Sequence, residues 1–290
     1  MNWTVAFRHV VSYMEEHLLE EITYDEIAAQ IYVSNFHFHR TFALMTGMSA
    51  STYIRNRRLT LAAHDLAEGR QKVIDVAFKY GYESPESFTK AFRKFHGIAP
   101  SKARTCLHNL KACHKLIIPM HQENKNMLEY RIEQTDEMSL LVKQRKFHNE
   151  ITLEEGNHDI ADFWTECYRD GIIDVLKEYQ KTPDLYGVCA PLGKTDPHFL
   201  YGIGVICQQN THAEGFDWLA VAPQQWAVFP CIGEDGDCIG EIWERIFKEF
   251  LVQSEYEMLD EMDFELYPPA GSDYFCEIWI PVRKREDHQD

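Results

Sequence analysis

The chain has 290 residues, with 46 acidic and 29 basic side chains and a formal net charge of -17. Taken whole, that balance opposes nucleic-acid binding, because duplex DNA repels a polyanion. Hydrophobic residues make up 45% and aromatics 13%, which excludes a disordered chain and, at roughly 100–200 residues per domain, points to about two domains with real cores. No run of about 18 apolar residues is present, so no membrane span is expected. The opening MNWTVAFRHVVSYMEEHLLEE has no basic n-region and no uninterrupted apolar h-region, so no signal peptide is expected. The 8 cysteines include no C-x-x-C pair, which reads as reduced thiols in a cytoplasmic protein rather than a disulfide scaffold.

The charge is divided unevenly. Residues 1–111 carry 14 Lys/Arg and 11 Asp/Glu, whereas residues 112–290 carry 15 and 35. Such asymmetry marks separate domains and hints that the first part meets a polyanion. The stretch from Thr105 to Met127 has weak periodicity and ends in a polar run, and the linker is placed within it, at 109–126.

Val5, Val10, Val11, Met14 and Leu18 recur at helical spacing, and no alternating β pattern precedes residue 127, so the first domain is expected to be all-α. Residues 23–55 resemble residues 72–104, pairing Ala28 with Ala77, Phe38 with Phe88, Arg40 with Lys90 and Gly47 with Gly97. Each copy reads as helix, turn, helix, the second helix opening near Ser34 or Ser84 as N-caps. That is the geometry of two helix-turn-helix units, whose second helices can enter major grooves. A long helix from Ser49 to Gly69 separates them. His37 and His39 are two apart and face different directions, and Cys106, His108, Cys113 and His114 match no zinc spacing, so no metal is expected.

Residues 1–108 resemble the DNA-binding domain of AraC/XylS-type transcription regulators, through IAAQIYVSNFHFHRTF, YIRNRRLTLAAHDLAEG and VIDVAFKYGYESPESFTKAFRKFHGIAPSKAR. The resemblance implies that Asn35, Phe36, His39 and Arg40 in the first copy, and Pro85, Glu86, Thr89 and Lys90 in the second, face base edges. Arg55, Arg57, Arg58, Arg93, Lys94 and Lys102 are read as phosphate contacts, which position without specifying. One departure is Tyr32, where the family commonly has Gly; Gly81 keeps it in the second copy. If the position needs positive φ, Tyr32 is mildly strained.

After residue 127 short alternating runs appear, interrupted by helical runs near 157–180 and 237–254, which predicts an α+β domain with antiparallel strands. The order repeats as strand, helix, strand, strand: 139–147, a helix with Phe163 and Trp164, 185–190 and 199–208; then 225–232, a helix with Trp243, 264–268 and 274–282. Two pseudo-symmetric β-α-β-β repeats would leave a cleft between them, a natural small-molecule site.

Residues 127–285 resemble the GyrI-like effector-binding domain, most specifically through CEIWIPV. The resemblance implies a ligand-engaging carboxylate on the last strand, here Glu277, with Tyr201 as its partner by duplication. A carboxylate on a largely buried strand needs a partner. A cationic ligand would supply one, with cation–π walls drawn from Phe163, Trp164, Tyr201, Trp243, Phe199 and Tyr274. The whole chain is thus expected to be a transcription regulator that binds double-stranded DNA and a small cationic or aromatic effector, with RNA polymerase as a further partner and no cofactor or membrane association. The alternatives are a hydrolase using Tyr201 and Glu277, and an acidic protein-interaction module. Activation or repression, and monomer or dimer, stay open. The acidic domain is expected to face away from DNA.

Overall fold

The computed structural model describes residues 3–117, 128–150 and 158–285. Part of the expected linker, from residue 118 to 126, lies outside them.

The helical part opens with α1 (Trp3–Glu16), followed by α2 (Tyr24–Ala29), α3 (Asn35–Thr46), α4 (Ala50–Glu68), α5 (Val73–Lys79) and α6 (Pro85–His96). Their ends follow from the sequence. Thr23 and Glu26 form a reciprocal capping box on α2. The Ser34 and Ser84 hydroxyls accept the His37 and Ser87 amides at the starts of α3 and α6, and Gly47 and Gly97 close the two helices at φ 73° and 78°. The turn between α2 and α3 holds Tyr32 at φ 58°, where the matching Gly81 has φ 78°. The anticipated strain is therefore present, on a side chain that is 84% exposed and makes little packing return.

The second part is one antiparallel sheet: β1 (Arg131–Thr135), β2 (Met138–His148), β3 (Leu185–Pro191), β4 (His198–Ile206), β5 (Asp217–Val221), β6 (Gln224–Cys231), β7 (Tyr256–Met258), β8 (Asp263–Tyr267) and β9 (Cys276–Lys284). Helices α7 (His158–Arg169) and α8 (Ile172–Glu178) follow β2, and α9 (Asp237–Arg245) follows β6 and runs on as a π-helical turn, Ile246–Phe250. The strand order is β1-β6-β9-β8-β3-β4-β2-β5, with β7 paired to β9. The path β6-β9-β8 mirrors β2-β4-β3, so the two repeats meet at the seam between β3 and β8. The strands that lead each repeat are exchanged: β1 pairs with β6 and β5 with β2.

Period-two alternation divides the sheet into two faces. Ala227, Phe229, Cys276, Ile278 and Ile280 join the cluster under α9. Trp226, Val228, Phe264 and Trp279 belong to a cluster on the opposite face. α7 and α8 cover the first repeat through Phe163, Cys167, Ile173 and Leu176. The second helix-turn-helix keeps its own core, around Leu59, Val76, Phe88 and Phe92. The first does not: Phe7, Val10, Met14, Phe38 and Phe42 are continuous with Trp243, Phe247, Phe250 and Ile280. Side chains of α1 and α3 therefore share one contiguous apolar cluster with the second sheet repeat. Among the described residues no helix is long and apolar enough to cross a membrane.

Candidate functional site

A cavity of 1240 Å³ lies over the seam between the repeats. Its floor is set by strand register. Gly187 of β3 stands opposite Glu265 of β8, and Cys189 opposite both Tyr201 of β4 and Asp263 of β8, which puts these groups on one face. Gly187 is required there by space, because a Cβ would collide with the Tyr201 hydroxyl. Walls come from Trp164 on α7, Trp243 on α9 and Tyr274 on the loop before β9.

Glu265 is the polar centre, 8% exposed. Its Oε2 accepts the Tyr267 hydroxyl at 2.9 Å and the Tyr201 hydroxyl at 3.2 Å, and Trp164 Nε1 donates to the Tyr201 oxygen at 2.9 Å. Burial holds the Glu265 carboxyl above its usual range, although the nearby Arg40 charge and the Tyr267 hydroxyl pull the other way. The same burial, with Glu265 beside them, pushes both tyrosines well above theirs. An aromatic cavity with a carboxylate at its base is built to receive positive charge.

The expected residues are distributed unevenly. Tyr201, Trp164, Trp243, Phe199 and Tyr274 line the cavity. Phe163 does not; it is buried beside Phe147, with the Arg145 guanidinium 4.3 Å from its ring centre. Glu277 is also elsewhere. It pairs with Leu266, one residue from Glu265, and therefore projects from the opposite face with Trp279. Its buried charge is met from within the chain, by Arg131 Nη1 and Nη2 at 2.7 and 2.8 Å and by Trp279 Nε1 at 3.2 Å. Glu277, expected to engage a ligand, does not line this cavity, and Glu265 does. The acid–base pair of Tyr201 and Glu277 is not assembled, because a one-residue change of parity moves a side chain across the sheet.

The two recognition helices are presented differently. On α6, Glu86 and Lys90 are exposed and Pro85 and Thr89 half-buried, forming a shallow groove with Arg93. Lys94 on α6 and Arg55 on α4 are exposed too. Arg57 instead clasps Glu15 and the Cys113 carbonyl, and Arg58 binds the carbonyls of Leu18 and Glu20. On α3, Asn35, Phe36 and His39 are buried. Phe36 packs on Phe199, with ring centres 4.7 Å apart. Arg40 Nη1 donates to both Asp263 oxygens at 3.0 Å, and the guanidinium lies 3.8 Å from the Trp243 ring centre. Asp260, before β8, accepts the Ser34 amide at 2.9 Å and the Ser34 hydroxyl at 2.7 Å, and also contacts His37. The acidic domain therefore packs on α3, one of the two helices expected to read DNA, rather than turning away from it. Its acidic residues and aromatic walls match the cationic and aromatic side chains of α3.

Residues 131–282 match the family of integron-associated effector binding proteins, and residues 27–105 match a helix-turn-helix domain family. The uncharacterized HTH-type transcriptional regulator YbfP of Bacillus subtilis is 39% identical over 105 residues, which is 36% of this chain and 36% of that protein. The HTH-type transcriptional activator AarP of Providencia stuartii is 36% identical over 95 residues, 33% of this chain and 70% of AarP. The solved structure of SAV2435 bound to tetraphenylphosphonium is 24% identical, covering 56% of this chain and 98% of that one, with a TM-score of 0.48.

Proposed function

Because the chain belongs to the AraC-type helix-turn-helix regulators and, over residues 131–282, to the integron-associated effector-binding proteins, we propose that it is a transcription regulator of the cytoplasm that answers to an organic cation with an aromatic body. In this reading residues 1–108 bind DNA, 109–126 link, and 127–285 bind the effector. The observation that carries the effector class is Glu265, a buried carboxylate supported by two tyrosine hydroxyls at the base of an aromatic cavity. A cation there gains both the carboxylate and ring faces, whereas an anion would face the Glu265 carboxylate.

On the DNA side, Lys90 at the open end of α6 reads a base edge, and Arg93, Lys94 and Arg55 hold phosphates. Arg40 serves on α3 as Lys90 does on α6, with Asn35, Phe36 and His39 beside it.

The test has two arms. Calorimetric titration with tetraphenylphosphonium, the ligand named for SAV2435, and with benzamidinium should give saturable binding, and a naphthalene sulfonate should give none. Equal binding of cation and sulfonate sinks the effector class. Selection of duplexes from a random pool should return a defined site. On it Lys90→Ala should cost about 1–3 kcal/mol and relax one position, while Arg93→Ala weakens all sequences alike.

A further inference from the structure

The first recognition helix sits in the effector cleft. α3 contributes Phe36, Arg40, Ala43 and Leu44 to the cavity wall. Its Arg40 lies on the Trp243 ring and against Asp263, where an aromatic cation would find its best partners. We propose that α3 is a tethered competitor of the effector: docked, it keeps the first helix-turn-helix off DNA, and a cation that takes the place of Arg40 releases it.

Three observations carry this. The first is identity of atoms. The side chains assigned to base reading on α3 are the ones covered, whereas on α6 the equivalent Glu86 and Lys90 are exposed and Pro85 and Thr89 only half-buried, so docking and DNA reading by α3 exclude each other. The duplication acts as an internal control, since Phe36, which packs into the cleft, stands where α6 has the exposed Glu86.

The second is charge. With Arg40 withdrawn, Asp263 loses its ion-pair partner and Glu265, which keeps the Tyr201 and Tyr267 hydroxyls, loses the nearby cation. Removing one member of such a pair is unfavourable unless water or another cation replaces it. Release of α3 is therefore coupled to arrival of another cation.

The third is incomplete satisfaction. Among the described residues, Asn35 Oδ1, His37 Nε2, His39 Nδ1 and Thr41 Oγ1 on α3 are buried without a hydrogen-bond partner. Each such group costs free energy, so the docked helix retains polar groups better served elsewhere.

The inference rests on the cation-binding reading of the cleft, and the experiment separates the two. Asp260 holds the N-terminus of α3 from outside the cavity, is a quarter exposed, and belongs to neither binding surface. Asp260→Asn, and Asp260→Ala as a second variant, loosen docking while leaving the fold and both binding sites intact. DNA affinity is measured on a duplex selected by the full-length chain, with and without tetraphenylphosphonium, and the binding of that probe is measured separately.

If the docked state outweighs the released one tenfold, the apparent DNA affinity of wild type is lowered about tenfold, and the variants recover most of it without probe. The probe should tighten wild-type DNA binding, change the variants little, and bind the variants more strongly than wild type, as linkage requires. Equal DNA affinity of wild type and both variants overturns the inhibitory role of docking, even if the probe binds. Weaker DNA binding in the presence of bound probe overturns the exchange at Arg40. A probe that binds neither chain overturns the cation reading, while tighter DNA binding by the variants would still support the inhibitory contact.

Discussion

Arg40 and Asp263 lie 223 residues apart in the sequence and form one of the most buried ion pairs of the described structure, with side chains 12% and 1% exposed. Burial works against the charge of Arg40, yet Asp263, Cys189 and Glu265 around it hold its proton more firmly than usual. The pair joins a helix assigned to DNA reading with the floor of the cleft proposed to take an effector. The predictions below test the cleft, the turn before that helix and the groups packed around it.

The two buried glutamates should separate cleanly. Glu265→Gln removes the Glu265 charge from the cavity and should weaken tetraphenylphosphonium binding about tenfold or more, since loss of a close, desolvated charge pair costs roughly 1.5 kcal/mol or more. Glu277→Gln should leave probe affinity within about twofold, because its carboxylate is engaged by Arg131 on the opposite face. It should instead lower stability by about 1–2 kcal/mol, because the freed Arg131 is 43% exposed and can turn to water. Titration calorimetry and urea denaturation measure the two effects. The reverse result would move the site to Glu277.

Gly187→Ala should damage the same site by geometry alone. The new methyl group collides with the Tyr201 hydroxyl and crowds Glu265. Overpacking of this kind costs about 1–3 kcal/mol, and moving Tyr201 breaks its bonds to Trp164 and Glu265. A lower denaturation midpoint together with lost probe binding is expected. An unchanged probe affinity would show that the Tyr201–Glu265 contact does not shape the site.

Tyr32→Gly should stabilise the helical part. The left-handed conformation at φ 58° costs a β-carbon residue about 1–2 kcal/mol, partly offset by the roughly 0.4–1 kcal/mol of unfolded-state freedom that glycine adds. Little packing is lost from a residue 84% exposed. A net gain of about 0.5–1 kcal/mol is expected in denaturant unfolding. A loss would mean that the tyrosine ring makes a contribution larger than the strain.

Acid should destabilise the chain through His39. Burial, with His148 nearby, lowers its pKa to about 4 from an ordinary 6.5. Between those values the unfolded chain takes up a proton that the folded one refuses, so stability is full above about pH 6.5 and falls toward pH 4. The loss reaches about 3 kcal/mol by linkage. Glu265, raised by burial, acts with the opposite sign, because the folded state holds its proton longer. Comparison with His39→Gln isolates the histidine: the variant should lose the steeper decline below pH 6.5. Parallel curves would refute the assignment.

Much of the architecture was legible along the chain. The duplicated helical unit was visible in the pairing of Phe38 with Phe88 and Gly47 with Gly97, because helix faces and caps depend on neighbours within about four residues. The repeat of strand, helix, strand, strand was visible for the same reason. Tyr32 was marked as strained from its place opposite Gly81, and the backbone bears this out. Trp164, Trp243, Tyr201, Phe199 and Tyr274, read from the sequence as ligand walls, do line the cavity.

Glu277 and Glu265 could not be told apart in this way. Both sit in alternating strands, and which parity faces the cleft is set by pairing across β3, β8 and β9, where Gly187 meets Glu265 and Leu266 meets Glu277. The fate of α3 was equally hidden. Its sequence specifies a helix with a basic and aromatic face, and such a face suits DNA and an acidic aromatic cleft alike. The choice between them lies in packing of distant segments, Phe36 on Phe199 and Arg40 on Asp263. Local patterns thus settle which elements form, whereas long-range register and docking settle which side chains meet, because those contacts join residues that no periodicity connects.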